Sequence, residues 1–346
     1  VLLGDPAVQL SVPRMEVVFD TSGVDTVRLG EVVTTSGEIL EGGNPATWVN
    51  GDVDVVVAGS QISRNPGTQY YLPGYTMFHG RASVERGRFD FSFVVPVDTV
   101  VAGPRGRTRG YSLVAPDGAG VQFPFVISRE AVPPVDTTGP LIVLRFDNDA
   151  RYVAARSVLR ITLSDEHGIN TTGTNSSNSI LLQIDRALQP VNLTSSFAYL
   201  QDSYQQGSID YLLPELVVGP HTVTLIAHDN VGNGNSRELT FEVVEEGVLS
   251  LRDVFNYPNP FKDETYIAFE LTMDALIDIK IFTVSGEPVV ELYAGEQGRI
   301  GQNHFGWDGR DSDGHAVANG VYIYKIEATD GQGRKETFVG RAARLR

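Results

Sequence analysis

The chain has 346 residues, a formal net charge of −16, 36 glycines, 18 prolines and no cysteine. Such an acidic chain lacks the basic face that nucleic acid requires, and without cysteine it has no disulfide, thiolate metal site or cysteine nucleophile. No run of 18 apolar residues is present, so no transmembrane segment is expected. Val1 is not an initiator methionine and reads as the start of a fragment or a processed product.

Alternating apolar and polar residues dominate from the N-terminal part onward, and helical periodicity is nearly absent. "TSGEIL" (35–40), "DVDVVVAG" (52–59), "RFDFSFVVP" (88–96) and "GVQFPFVIS" (120–128) read as strands, separated by the turn signals "EGGNP", "NPG", "LPG" and "PDG". "AVPPVDTTGP" (131–140) is rich in Pro and Gly and reads as a linker. Beyond it "LIVLRF", "SVLRITLSD", "SILLQID", "HTVTLIAHD" and "ELTFEVVEE" give a second strand series, interrupted by the polar loop "GTNSSNS" (173–179). A third series runs through "TYIAFEL", "IDIKIFTVSG", "PVVELY", "NHFGWDG", "GVYIYKIEAT" and "KETFVGRA". The predicted fold is all-β, with three tandem antiparallel Ig-like β-sandwich modules over 15–135, 136–247 and 248–346.

Chemistry-bearing patterns are few. "DEHG" (165–168) and "AHDN" (227–230) set His beside Asp, but strand neighbours face opposite ways, so both read as turn chemistry. "WDGRDSDGHAVANG" (307–320) superficially resembles a calcium loop. Its twelfth position from Asp308 is Asn319, where a bidentate glutamate is needed, so a hairpin with Trp307 in the core is favoured. No metal centre and no cofactor is expected; Asp147, Asp149 and Asp229 are the carboxylates that could lend oxygens to a calcium ion. Sequons at Asn170, Asn175 and Asn192 mark exposed loops at most. No phosphate loop, nucleophile elbow or paired-carboxylate signature is present, so an enzyme complete within these residues, such as a metal-dependent hydrolase, has no assembled site.

"VFNYPNPF" (254–261) opens the third series. Pro258 and Pro260 lack N–H groups and cannot both sit in a central strand, and the residues before them favour extended geometry. Together "YPNPF", "IDIKIFTVSGEPVVEL" and "WDGRDSDGHAVANGVYIYKI" resemble the Ig-like module of flagellar hook-capping proteins and the C-terminal domains of type IX secretion substrates. "VLLGDPAVQL" (1–10) resembles the closing segment of gingipain-type cysteine peptidase domains, which sets residues 1–14 as a closing strand. "FHGRASVERGRFDFSFVVP" and "LSDEHGIN" with "VVGPHTVTLIAHDNVGN" are similar to the first and second modules that follow the peptidase in PorU-type sortases.

This resemblance implies the accessory and docking region of a surface cysteine peptidase that processes C-terminal signals of type IX cargo and attaches the cargo to lipopolysaccharide. The catalytic Cys and His of that family belong to its peptidase domain, so no catalytic residue is assigned here. The resemblance further implies an outer-membrane partner of the PorV type, other type IX components and cargo C-terminal domains, on the extracellular side of a bacterial outer membrane. Signature and docking residues would be Pro258, Asn259, Pro260, Phe261, Trp307, Asp308, Gly309, Gly314, Gly320, Tyr322 and Lys325. The chain departs from cargo signals in closing with Arg341, Arg344 and Arg346 where those usually carry lysine. The alternative is a self-assembling structural or adhesive surface protein, a filament or stalk subunit built of tandem Ig-like modules.

Overall fold

A computed structural model describes residues 13–20, 25–64, 70–112, 118–132 and 136–345. Among them there is no α-helix, only strands and four single 3₁₀ turns. No helix of the described residues is long and apolar enough to cross a membrane.

The first strand series forms one hydrogen-bonded network of nine strands. Its order is Asn44–Pro45, Val32–Glu41, Met15–Phe19, Gly118–Ala131, Gly103–Ser112, Gly51–Ala58 and Thr76–Val84, with Thr26–Leu29 on Gly118–Ala131 and Arg88–Val94 on Val32–Glu41. Strict alternation in "RFDFSFV" turns Phe89, Phe91 and Phe93 inward, where Phe19 meets the first two rings edge-on at 5.8 and 6.0 Å.

The second series gives a four-stranded sheet, ordered Leu141–Arg145, Val158–Ser164, Gln206–Leu212 and Ala198–Tyr199. Its companion sheet is ordered Tyr152–Val153, Gly234–Val243, Gly219–His228, Leu181–Ile184 and Val191–Asn192. The third gives a three-stranded sheet, Leu251–Tyr257, Thr265–Leu271 and Gly301–Trp307. It faces a four-stranded one, Pro288–Gly298, Ala275–Thr283, Gly320–Thr329 and Lys335–Arg344. Ile267, Phe269, Ile277, Ile279, Ile281, Trp307 and Ile326 fill the space within this third part.

The chain is thus a tandem β-sandwich protein, but its ladders are not antiparallel throughout. Met15–Phe19 and Thr26–Leu29 both run parallel to Gly118–Ala131, and Tyr152–Val153 runs parallel to Gly234–Val243. Side-chain alternation is the same in both ladder types, so the pattern that revealed these strands carried no information about their direction.

Two compact units result, one of residues 1–143, 161–209 and 223–238, the other of 144–160, 210–222 and 239–346, so the segment 136–247 contributes to both. The peptidase-like closing stretch lies almost wholly in residues 1–12, outside the described residues, and the described Pro13 and Arg14 are not in a strand.

Candidate functional site

The strand Leu251–Tyr257 runs into two prolines whose preceding bonds, Tyr257–Pro258 and Asn259–Pro260, are both cis. Between them Asn259 acts as a clasp. Its Nδ2 donates to Asn256 Oδ1 at 3.1 Å and to Arg341 O at 3.2 Å, and its Oδ1 accepts from Ala343 N at 2.9 Å. Asn256 is itself buried and donates to the Thr265 hydroxyl, which donates to Pro258 O at 2.9 Å. Phe261 continues the seam, its N–H on Ala343 O at 2.8 Å and its carbonyl receiving Leu345 N at 2.9 Å. The Pro-Asn-Pro-Phe segment therefore ties the entry of the module to its last strand, Lys335–Arg344. The prolines contribute no N–H that would need a partner there.

Behind this seam Phe261, Trp307 and Tyr322 form the module's packing centre. The Phe261 ring lies 5.2 Å from Trp307, and Trp307 meets Tyr322 edge-on at 5.4 Å. Trp307 Nε1 donates to Arg310 O at 3.0 Å and the Tyr322 hydroxyl to Ala318 O at 2.9 Å, so both polar handles are satisfied. Arg344 is only 3 % exposed. Its guanidinium donates to Gly309 O at 2.5 Å and Val317 O at 2.7 Å, and lies 5.9 Å from the Phe261 ring centre. Gly309 has φ +68°, and a Cβ there would come within 3.0 Å of both Arg344 and Phe261.

Asp308 Oδ1 receives Arg310 N, and Asp311 Oδ1 receives Asp313 N and His315 N, so "WDGRDSDGH" is a self-capped turn pair. Gly314, at φ +79°, supplies the left-handed position of the second turn. Gly320 starts the strand Gly320–Thr329, and Lys325 lies within it, 3.4 Å from Glu327. Phe261, Trp307 and Tyr322 thus face the core and hold the module's shape. Among the docking residues expected from the resemblance, Asn259, Pro260, Asp308, Gly314 and Gly320 are exposed and Lys325 is half-buried.

Exposed aromatics that the sequence reading passed over lie beside the seam. Phe255, Tyr257 and Tyr266 are 56 %, 72 % and 46 % exposed. Tyr257 stands opposite Tyr266, which stands opposite Gly306. Alternation in "FNY" and "TYIAFEL" was the available signal: Asn256, Thr265 and Ile267 point inward, so their neighbours must point out.

The histidine–aspartate patterns resolve differently. His167 Nδ1 lies 2.9 Å from Asp136 Oδ2, a partner supplied by the linker rather than by its neighbour Asp165. Asp165 Oδ1 instead receives the His167 backbone N–H at 2.8 Å. Burial pushes the Asp165 carboxyl up to about 6, with Asp229 and Asp136 adding to the rise. The Asp136 carboxyl is held below its ordinary value, chiefly by hydrogen bonds from the Thr138 backbone and hydroxyl together with His167, against the opposing effect of burial. Burial also lowers the His228 ring.

Two of the three carboxylates considered for calcium, Asp229 and Asp147, have other partners. Asp229 Oδ1 receives the N–H groups of Val231, Gly232 and Asn233, and its Oδ2 receives Asn233 Nδ2. Asp147 pairs with Arg160 Nε at 2.6 Å. Among the described residues the groups of three that come together are Asp136, Asp165 and His167, and the turn residues Asp311, Asp313 and His315; none includes Asp147, Asp149 or Asp229. Asn170 corrects the sequon reading at one site. It is buried, and its Oδ1 accepts from the N–H and hydroxyl of Thr172, so it lies inside the fold rather than on an exposed loop.

Residues 256–332 match the family model of the FlgD Ig-like domain. No curated protein matches the sequence. Among solved structures, the chain is similar to dimeric latent PorU from Porphyromonas gingivalis at 22% identity and a TM-score of 0.43, covering 99% of this chain and 35% of that one. It thus spans about a third of that protein's length. A tetra-tandem repeat from the extending region of a large adhesion protein is similar at 12% identity and a TM-score of 0.21, covering 95% and 73% of the two chains. The titin domains I67–I69 are similar at 12% identity and a TM-score of 0.20, covering 95% and 99%.

Proposed function

We propose that this chain is the accessory and docking region of a PorU-type surface sortase, an arm of modules 15–135, 136–247 and 248–346 that carries no catalytic residue itself. The observation that carries this reading is the last module. Its Pro-Asn-Pro-Phe clasp, which lies within the stretch 256–332 that matches the FlgD Ig-like domain, closes it onto its own terminal strand. The order of the motifs along the chain supports the same assignment. In this reading the clasp and the Trp307 centre keep the module rigid, while Phe255, Tyr257 and Tyr266, on the outer face of the three-stranded sheet, meet an outer-membrane partner of the PorV type. Exposed Tyr and Phe on a rigid sheet suit an interface, since they add contact area at little conformational cost. The protein would then work at the extracellular side of the outer membrane, with cargo C-terminal domains as further partners.

Titrating the purified chain against a detergent-solubilised PorV-type barrel tests this. The parent chain should bind, and Phe255→Ala with Tyr257→Ala should weaken binding by about tenfold or more at an unchanged melting temperature. Absence of binding by the parent chain would refute the reading. Concentration-dependent self-assembly that those two substitutions abolish would instead support a stalk or filament subunit.

A further inference from the structure

The compact unit of residues 1–143, 161–209 and 223–238 contains a cavity of about 590 Å³ that no motif predicted. Its floor is the outer face of three paired strands, where Arg109, Val56 and His79 stand in one cross-strand row. Its walls are the loop Thr171–Gly173 and the turn around Thr194–Ser196, with Asn192 and Phe197 beside it. These walls are held in place. Thr171 Oγ1 donates to Thr76 O at 3.2 Å, Asn170 fixes Thr172, and Thr194 Oγ1 receives Ile180 N at 2.9 Å.

The lining has a definite chemical bias. It holds several hydroxyls, a side-chain amide and one arginine, and no carboxylate. The nearby Asp54 is 3.1 Å from His79 Nε2. Alternation along Gly103–Ser112 puts Arg107 and Arg109 on the same face, and both line a smaller adjoining hollow. Neither side chain has a hydrogen-bond or ion-pair partner among the described residues. In a chain of 43 acidic and 27 basic residues, two such arginines beside a polar cleft are a local reversal of sign.

We infer that this cavity binds a small hydroxylated anion, a sugar acid or a sugar phosphate. The planar fork of Arg109 suits a carboxylate or phosphate, which it can engage through two N–H groups at once. The Ser195 hydroxyl and the Asn192 amide offer donors and acceptors for hydroxyls, the Thr172 hydroxyl, whose proton goes to Asn170, offers an acceptor, and Val56 gives an apolar spot for the C–H face of a ring. The volume lies in the range of small-molecule sites, about 300–1,000 Å³. The inference is independent of the docking reading, because none of its residues belongs to the last module.

Calorimetric titration of the full chain with glucuronate and with glucose 6-phosphate tests it, with glucose and inorganic phosphate as controls that each carry one half of the chemistry. At least one acid sugar should bind with a Kd of about 1 mM or tighter. Which one binds identifies the anionic group. Arg109→Ala should weaken binding about tenfold or more, Arg109→Lys less, both at an unchanged melting temperature because this side chain is exposed. Arg81→Ala removes the same charge from a neighbouring row of the same sheet, outside the cavity, and should leave binding intact. Failure of both acid sugars to bind would overturn the inference, as would equal losses in the two alanine variants. Binding of glucose or of inorganic phosphate as tightly as the acid sugar would overturn it too, since one half of the lining would then contribute nothing.

Discussion

Single side chains in this protein mostly close local accounts of hydrogen bonding, and two of them expose measurable consequences. Arg344 places a guanidinium inside the last module against the carbonyls of Gly309 and Val317. Arg344→Ala leaves both without that donor and should cost about 2–3 kcal/mol. Denaturant unfolding monitored by the buried Trp307 reads this, and an unchanged midpoint would refute the assigned role. Asp165 carries the opposite sign. Its carboxyl is held up at about 6, against an ordinary 3.8, mainly by burial. Between those values the folded chain keeps a proton that the unfolded chain has released, so this group's contribution to stability falls as pH rises through the window and stays lower above it. The raised Glu270 adds to the fall and the lowered His228 opposes it as pH approaches 6.5. Asp136 acts below its ordinary value of 3.8, where protonation removes the benefit of its hydrogen bonds, and so does not mask the effect. Asp165→Asn should raise the melting temperature at pH 7 and flatten its dependence between about pH 4 and 6. A parallel curve displaced by a constant would argue against burial as the cause.

At the scale of strands, aromatic rings are repeatedly set across from glycines. Gly37 pairs with Phe89, Gly106 with Phe125 and Gly340 with Tyr324. A Cβ on these glycines would lie 2.2, 2.2 and 2.1 Å from the facing ring, so each ring occupies the space a side chain would take there. This arrangement covers a backbone that glycine would otherwise leave open and helps to pin register. Gly340→Ala should therefore destabilise the terminal strand by about 1–3 kcal/mol through displacement of Tyr324. Loss of amide protection confined to Gly320–Thr329 and Lys335–Arg344 would confirm it, and unchanged exchange there would not fit. The Pro-Asn-Pro-Phe clasp acts on the same terminal strand from its other side, so the two devices together fix an edge that pairs with only one full neighbour.

Within the compact unit that contains the cavity, one short segment joins the first sandwich to the strands that follow it. Asp202 N–H donates to Arg81 O, and its carboxylate receives the Ser83 N–H and hydroxyl at 2.7 and 2.6 Å. Gln201 reaches Asp52 and Ser83, and Tyr199 stacks on Phe78 with centres 5.0 Å apart. Asp202→Ala should speed amide exchange in both Thr76–Val84 and Ala198–Tyr199 while leaving Gly320–Thr329 unchanged. A change on one side alone would mean that the two segments open independently.

How much of this was legible beforehand follows from what each signal depends on. Alternation with period two exposed most strands, including the inward rows of Phe89, Phe91 and Phe93 and of Ile277, Ile279 and Ile281, because burial on one face is written locally in the chain. Turn chemistry was equally local: Gly309 and Gly314 take left-handed conformations that their neighbours' spacing already implied. What the chain could not reveal by itself were relations between distant segments. The parallel pairing of Met15–Phe19 with Gly118–Ala131, the choice of Asp136 over Asp165 as partner of His167, and the clasp of Asn259 on Arg341 and Ala343 each join residues far apart in sequence. The same is true of Arg109, Thr172 and Asn192 around one cavity. The sequence alone determined a cysteine-free, acidic, all-β chain with a Pro-Asn-Pro-Phe module at its end, since composition and periodicity are properties of short windows. Tertiary structure alone decided strand direction, side-chain partners and the cavity, because these depend on which windows meet.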